Sequence, residues 1–516
     1  MFQIQPPGPL SASHLWPLQQ QCYAALGMSA WLGDQTPSYI TSNPHFADMT
    51  AQVILAALLD LGPQPAPVPI IELGAGSGRF SWLLLQALSR LEAACPLPVP
   101  DWQLVMTDAA GPLLRAWPEQ HQLAPFVHAR RLDFARFDIA QPRALRLRVR
   151  DERLPAGPRI VLANYVWDSV PQDAYEVGAG APPQAVHVGL LTEADPTDFS
   201  APELMAALRL QTARAPVPGD LDPALAALLA RYTAALSAPT TVLAPVAADA
   251  CLDWLAQRGP VIALSGDKGV GQLSHILDGE RLPITLHGGT ASLTVDFCAL
   301  EEMTAARGGW SRRGDTREPL FIHQLDVRGL PPASLSRTLL AFDASFAAGA
   351  GYDLYRLSKA TADEGVLPSL DRLLSVLGLT HADPDIVWVF ARAFDHHLSE
   401  GLPAPASAAL SHLLGTAAAQ VYHVPGDTDD VDALIAKMAM RLSDPRTAAV
   451  AWTGSLARCG PSVEALHGRA VALSMLGDPD GALDSARQAL QLPLSNAQFA
   501  QLGQWIAALE AWRQLS

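Results

Sequence analysis

The stretch PIIELGAGSGR, residues 69–79, decides the fold. A short apolar run carries one acid, Glu72, and leads into three glycines at alternate positions, Gly74, Gly76 and Gly78. Glycine has no Cβ and tolerates positive φ, so a ligand can approach the backbone of such a loop closely. A buried strand, a glycine-rich turn and a following helix are typical of nucleotide-binding folds. The third glycine comes too early for the dinucleotide fingerprint, which predicts a ligand other than a pyrophosphate.

Short apolar runs that alternate with helical patterns extend outward from this stretch. A helical stripe covers 45–62, and further segments have strand character over 283–297. The alternation predicts an α/β fold, a Rossmann-like parallel sheet with helices on both faces. The expected sheet strands lie at 68–73, 102–108, 126–133, 159–166 and 259–267.

The composition changes toward the C-terminus, where nearly every segment is an alanine- and leucine-rich helix. We predict an α/β domain over 1–325 with a helical insertion at about 195–255, followed by an all-α helical-repeat domain over 326–516. Residues 464–493 resemble one tetratricopeptide repeat. A single repeat cannot bury its apolar face alone, so neighbouring helices are expected to stack on it.

The pattern E-x-G-x-G-x-G resembles motif I of the class I S-adenosylmethionine-dependent methyltransferases. The resemblance implies that Gly74, Ala75, Gly76 and Gly78 bind S-adenosylmethionine through the loop backbone. The amino acid half of this cofactor carries an ammonium group, which suits the carboxylate of Glu72.

Two further acids follow the glycine loop at expected strand ends. Asp108 ends the second strand, where a carboxylate can accept hydrogen bonds from both ribose hydroxyls. Asp133 ends the expected third strand and can accept a hydrogen bond from an adenine amino group, while Phe134 packs on the ring. A solvated acid at a strand end is the alternative interpretation for each of them.

Asn164 ends the fourth expected strand, and NYVWDSVP follows it. Asn164 is expected to face the methyl-donor position of the cofactor, and Asn164 and Tyr165 are candidate catalytic residues that accept hydrogen bonds from the N–H groups of a methyl acceptor. The alternative is a capped strand end followed by a core aromatic residue. Asp168 is a candidate general base or an orienting group for this loop. Its alternative is the N-cap of a helix.

Several segments together resemble the MidA family of methyltransferases, which includes the mitochondrial complex I assembly factor that methylates a protein arginine. They are GPLS (8–11), SYITSNPHF (38–46), the glycine loop, ANYVWDSVPQDAY (163–175) and, more weakly, HGGTASLTVDF (287–297). The resemblance implies N-methylation of a protein side chain, with arginine as one acceptor. Three positions depart from the family: Tyr165 stands in place of a glutamate, His45 lies near the position of a missing acid, and the strand end D-Y-G appears as SGDKG (265–269).

The charge and composition of the chain argue against several other classes of protein. The net charge is 35 − 51 = −16, which disfavours nucleic-acid binding. No window of about 18 apolar residues predicts a transmembrane helix, and the N-terminus lacks a signal-peptide pattern. The five cysteines show no metal-ligand spacing, so we expect no metal site and a cytoplasmic protein.

Three hypotheses about function remain open from the sequence. The first is a protein methyltransferase whose C-terminal helical domain binds a protein substrate or partner. The second is a small-molecule methyltransferase in which that domain acts as a lid or dimer interface. The third is a non-catalytic assembly or interaction protein that has kept the methyltransferase fold.

Overall fold

The computed structural model describes residues 2–32, 39–178, 180–193, 202–276, 282, 284–287, 290–314, 321–346, 350–363 and 365–513. The chain divides into two compact units. The first contains Met1–Ser42 and Phe46–Tyr352, and the second contains Asn43–His45 and Asp353–Ser516.

The strands are described first, in chain order. They are β1 (Phe2–Gly8), β2 (Val68–Leu73), β3 (Trp102–Asp108), β4 (Leu132–Arg136), β5 (Arg159–Asn164), β6 (Asp173–Val177), β7 (Gln184–Thr192), β8 (Arg209–Pro216), β9 (Thr240–Ala244), β10 (Val261–Asp267), β11 (Gly269–Val270), β12 (Ile284–His287), β13 (Thr290–Leu293), β14 (Val295–Asp296), β15 (Trp310–Arg313) and β16 (Ile322–Arg328).

The α-helices follow the same order. They are α1 (Leu15–Leu26), α2 (Pro44–Leu61), α3 (Arg79–Ala94), α4 (Gly111–Ala116), α5 (Ala124–His128), α6 (Pro202–Ala207), α7 (Pro223–Ala235), α8 (Val246–Ala256), α9 (Phe297–Ala306), α10 (Ser336–Phe346), α11 (Ala350–Asp363), α12 (Leu370–Leu379), α13 (Pro384–Val389), α14 (Ala391–Glu400), α15 (Ala404–Ala418), α16 (Val431–Arg441), α17 (Pro445–Cys459), α18 (Val463–Met475), α19 (Pro479–Ala489) and α20 (Asn496–Arg513).

The central sheet of the first unit has the order β15-β16-β10-β5-β2-β3-β4. Strands β4, β3, β2, β5 and β10 are parallel, and β16 pairs antiparallel with both β10 and β15. Counted in chain order within this sheet, the arrangement is 3-2-1-4-5-7-6 with an antiparallel seventh strand. This is the strand order of the class I methyltransferase fold, so the predicted α/β fold class is confirmed.

Strands β2 and β3 lie at their predicted positions, because both are buried and therefore read as continuous apolar runs. The prediction of a strand over 126–133 is wrong. Helix α5, with Pro125 in its first turn, occupies the start of that segment, and β4 begins only at Leu132. The acid Asp133 lies inside β4, so the apolar run that would have marked this strand is interrupted.

A second sheet of the first unit is antiparallel and has the order β1-β7-β6-β9, with β8 also paired to β7. Strands β8 and β9 fall within the segment 195–255, where a helical insertion is expected. The described part of that segment therefore combines strands with helices α6, α7 and most of α8. Strand β16 of the central sheet extends past residue 325, to Arg328.

The second unit is built from helices, and consecutive helices from α16 to α20 pack against one another. Buried alanines such as Ala470, Ala482 and Ala486 let α18 and α19 approach closely. Ser462 and Asp478 cap the N-termini of these two helices by accepting from backbone N–H groups. The segment 464–493 is therefore a helical hairpin, and its buried residues form one core together with residues of α20.

Among the described residues, no helix combines the length and the apolar character that crossing a membrane would require.

Candidate functional site

The loop between β2 and α3 has three glycines in the left-handed region, with φ of 62° at Gly74, 54° at Gly76 and 84° at Gly78. A Cβ on Gly76 would lie 2.6 Å from the indole of Trp31. A Cβ on Gly74 would lie 2.8 Å from Cγ2 of Val166. Both the backbone conformation and the packing therefore require glycine at these two positions.

We predict that Gly76→Ala destabilises the protein more than Gly62→Ala, and urea unfolding can measure both. Gly62 has φ of 63°, and a Cβ added there would have no neighbour within 4 Å, so this control reports backbone strain alone, about 1–2 kcal/mol. The clash with Trp31 should add about 1–3 kcal/mol at Gly76. Equal costs for the two substitutions would show that Trp31 does not pack on the loop.

A cavity of about 190 Å³ opens beside this loop. It lies at the carboxyl ends of β2 and β5, where the strand order reverses, which is the usual ligand position in open α/β sheets. Its described lining includes three carboxyl groups, from Glu72, Asp108 and Asp138, and no basic side chain. The electrostatics of the cavity therefore favour a cationic ligand.

Glu72 and Asp108 are the two acids nearest the glycine loop. Burial raises the pKa of Glu72 to about 8; a hydrogen bond from Ser81 opposes this rise, and the charge of Asp108 adds to it. Burial also raises the pKa of Asp108, to about 6, against the hydrogen bonds it accepts from backbone N–H groups. Asp108 Oδ2 accepts from Gly76 N at 3.4 Å and Oδ1 accepts from Ala110 N at 2.9 Å, so it also supports the loop.

Asp133 and Phe134 are placed away from this cavity. Asp133 is fully buried within β4, where Oδ1 accepts from the N–H groups of Phe134 and Val149 at 2.7 and 2.9 Å. Nε of Arg150 lies 3.6 Å from its Oδ2. The side chain of Phe134 is buried against Trp117, at 5.8 Å between ring centroids.

Asp138, five residues later in the sequence, lines the cavity instead, together with Phe137 and Ile139. Because β4 ends at Arg136, Asp138 is the acid just beyond the end of this strand. The signal that could have found it is the second acid of DFARFDIA, once the strand is placed at 132–136.

Asn164 and Tyr165 both line the cavity. Tyr165 has φ of 52°, an uncommon value for a residue with a side chain. Its N–H donates to the carbonyl of Gly266 at 2.8 Å, and its ring lies 5.0 Å from that of Phe321. A backbone bond and ring packing thus hold this strained residue at the cavity wall.

Asp168 is not part of the cavity lining. Its carboxylate accepts from the hydroxyls of Ser169 and Ser292, each at 2.7 Å. Its N–H donates to Asp267 Oδ2 at 3.1 Å. Through these contacts Asp168 holds the loop that follows Tyr165 in place.

His45 is also absent from the lining. Its Nδ1 lies 3.3 Å from Nε2 of His381 within the second unit.

Residues upstream of the loop complete the cavity, and the sequence interpretation missed them. Trp16, Gln19 and Tyr23 come from one helix, α1, and Trp31 follows it. Gln19 is fixed by donating to Ser169 O at 3.0 Å and accepting from Ala291 N at 2.6 Å. The aromatic and amide side chains on one side of WPLQQQCY are the only sequence signal for this wall.

The strand order and the acidic cavity at its reversal point define a Rossmann-like fold of the class I methyltransferase type. No family model and no curated protein matches the chain. Among similar solved structures, a COG1565 superfamily member from Burkholderia thailandensis, bound to S-adenosyl-homocysteine, is 17% identical, with a TM-score of 0.43. The match covers 65% of this chain and 90% of that chain.

Two further solved structures are similar. Another COG1565 superfamily structure from Burkholderia thailandensis is 18% identical over 64% of this chain and 90% of that chain, with a TM-score of 0.40. A complex of DhpI with SAH is 12% identical over 61% of this chain and 98% of that chain, with a TM-score of 0.25. Since all three TM-scores lie below 0.5, the fold class rests on the strand order of this chain.

Proposed function

We propose that the chain is an S-adenosylmethionine-dependent methyltransferase. One observation carries the proposal: the glycine loop, Glu72, Asp108 and Asp138 surround a single cavity that has no basic side chain in its described lining. A sulfonium with an ammonium group is a cationic ligand, whereas a nucleoside phosphate would lie beside three carboxyl groups with no basic side chain in the described lining to pair with it. The structures similar to this chain include complexes with S-adenosyl-homocysteine.

The cavity residues fit the parts of this cofactor by their chemistry. Glu72 would accept from the ammonium group, and Asp108 from the ribose hydroxyls. Asp138 would accept from the adenine amino group, the role that the sequence assigns to Asp133. The exposed backbone at Gly74 would let the amino acid half approach the loop.

The bound cofactor would supply an activated methyl group. Asn164 and Tyr165, at the cavity wall, would accept N–H bonds from an acceptor nitrogen and aim its lone pair at that methyl. Gln19 and Trp16, from α1, would limit the access of water. Because Asp168 lies outside the lining and accepts from the hydroxyls of Ser169 and Ser292, it would position this loop rather than take up a proton.

We propose further that the acceptor is a protein side chain, arginine being one option, and that the helical second unit recruits the protein. Stacked helical hairpins, as in α16 to α20, expose extended surfaces that commonly bind other proteins. We also propose that the chain is related to the MidA methyltransferases and that its second unit is tetratricopeptide-like.

Incubation of the full-length chain with tritiated S-adenosylmethionine and a lysate of its own organism tests this function. We expect one or a few labelled polypeptides, and excess S-adenosyl-homocysteine should suppress the label. Label found only in small molecules would contradict the protein acceptor but keep the methyltransferase. No label, together with no S-adenosyl-homocysteine binding in calorimetry, would contradict the proposal as a whole.

The two acids near β4 should behave in opposite ways when each is replaced by alanine. Asp138→Ala should weaken S-adenosyl-homocysteine binding about tenfold and lower stability by less than about 1 kcal/mol. Asp133→Ala should cost about 2–4 kcal/mol, because it leaves the buried N–H group of Phe134 and the part-buried one of Val149 unpaired, and should change affinity by less than about threefold. Calorimetry and urea unfolding measure both effects; a reversed pattern would restore Asp133 as the ligand.

A further inference from the structure

A second groove of the first unit, of about 570 Å³, lies outside the candidate site and has the opposite charge. Arg115, Arg136, Arg146 and Arg148 line it with one acid, Asp151. We call it the arginine groove. Four positive groups and one negative group give 4 − 1 = +3, in a chain whose net charge is −16.

The arginines of this groove are exposed, and most of their donors are available. In the part of the chain that the structure describes, Arg115 and Arg136 have no hydrogen-bond or ion-pair partner. Arg148 uses Nη1 to donate to the carbonyl of Leu114 at 2.7 Å, which fixes its guanidinium and leaves its other donors. Arg146 is paired with Asp151 at 2.7 Å.

The backbone that carries Arg146 and Arg148 is held in place because the residue before each arginine is buried in the core. Leu145 and Leu147 are 4% and 0% exposed and belong to the core of the central sheet. Arg148 N donates to Phe134 O of β4 at 2.8 Å. The arginines at the intervening positions therefore project outward from an ordered segment, which lowers the entropic cost of binding a ligand.

The geometry points to this groove as a binding site for an acidic segment of a partner protein, with several aspartate or glutamate side chains. Arginine guanidinium groups pair with carboxylates through two parallel hydrogen bonds. A single small anion would engage one or two guanidinium groups, whereas this volume and charge accommodate several carboxylates. The groove has no aromatic side chain for stacking a base in its described lining, which disfavours single-stranded nucleic acid.

The arginine groove shares two chain segments with the candidate cavity. Arg136 immediately precedes Phe137, and Gly111 of the groove comes three residues after Asp108. A protein bound here by an acidic segment would therefore lie beside the candidate site.

Fluorescence anisotropy of the full-length chain with a labelled hexaglutamate peptide tests the proposal at about 50 mM salt. The triple variant R115Q/R136Q/R148Q should bind the peptide at least about tenfold more weakly than the wild type. The matched control R209Q/R392Q/R446Q removes three exposed arginines elsewhere and should change affinity by less than about twofold. Thermal unfolding verifies that both variants are folded.

Three results would overturn the proposal. They are the absence of peptide binding to the wild type, equal losses in the two triple variants, and tighter binding of pyrophosphate or of a single-stranded oligonucleotide than of the peptide. The last result would assign the groove to phosphate groups instead of carboxylates.

Discussion

Asp108→Ala should weaken S-adenosyl-homocysteine binding by at least about 100-fold. The two ribose hydroxyls of the ligand would lose the carboxylate that accepts their hydrogen bonds. A hydrogen bond to a charged group contributes about 1.5–3 kcal/mol. The substitution also removes the acceptor of the Gly76 and Ala110 N–H groups, so the glycine loop loses a support. Isothermal calorimetry with the full-length chain measures the change in Kd.

Asp101→Asn is the matched control for this substitution. Asp101 precedes the opposite end of the same strand, β3, where it is exposed and pairs with Arg131 at 2.7 Å. Its replacement should alter affinity by less than about twofold, because exposed ion pairs contribute little. A similar affinity for wild type and Asp108→Ala would show that the ligand has no contact with this carboxylate.

The part of the site that could be predicted from the sequence is the part formed by one strand and its own loop. Strand β2 is buried along its length, so a run of apolar residues in the sequence identifies it. The glycines that follow are required because the backbone of the loop has positive φ at these positions. Glu72 and Asp108 follow from the positions of β2 and β3, and both line the cavity.

The remainder depends on contacts that no local pattern carries. Asp133 lies inside a buried strand, where Arg150 and two backbone N–H groups hold its carboxylate. An acid is usually expected at the end of a strand, so the prediction ended the strand at Asp133, whereas β4 continues to Arg136. Trp16 and Tyr23 reach the cavity from α1, roughly 50 residues before the loop, through tertiary packing alone. Local periodicity identifies such a helix but not the surface it covers.

Affinity for S-adenosyl-homocysteine should rise with pH between about 6.5 and 7.5, approaching tenfold per unit. In the free protein, burial raises the pKa of Glu72 to about 8, so the carboxyl is mostly protonated in this range. Pairing with the ligand ammonium requires the carboxylate, so binding must release a proton. Calorimetry in buffers of different ionisation enthalpy should give close to one proton released per ligand at the lower pH.

Glu72→Gln separates this linkage from other pH effects. The variant cannot ionise, so its weaker binding should be nearly independent of pH and should release no proton from this site.

The stability of the free protein provides an independent measurement. Since the folded pKa of Glu72 exceeds its usual value of 4.5, its contribution to stability is present below pH 4.5 and is lost as pH rises through about 8.

Urea unfolding without ligand should therefore show the wild type losing stability relative to Glu72→Gln as the pH rises from about 5 to about 8. Ligand should reverse this difference at the higher pH, because the ammonium then compensates the buried carboxylate. A pH-independent affinity in the wild type would place the ligand ammonium away from Glu72, even if Asp108 still binds the ribose.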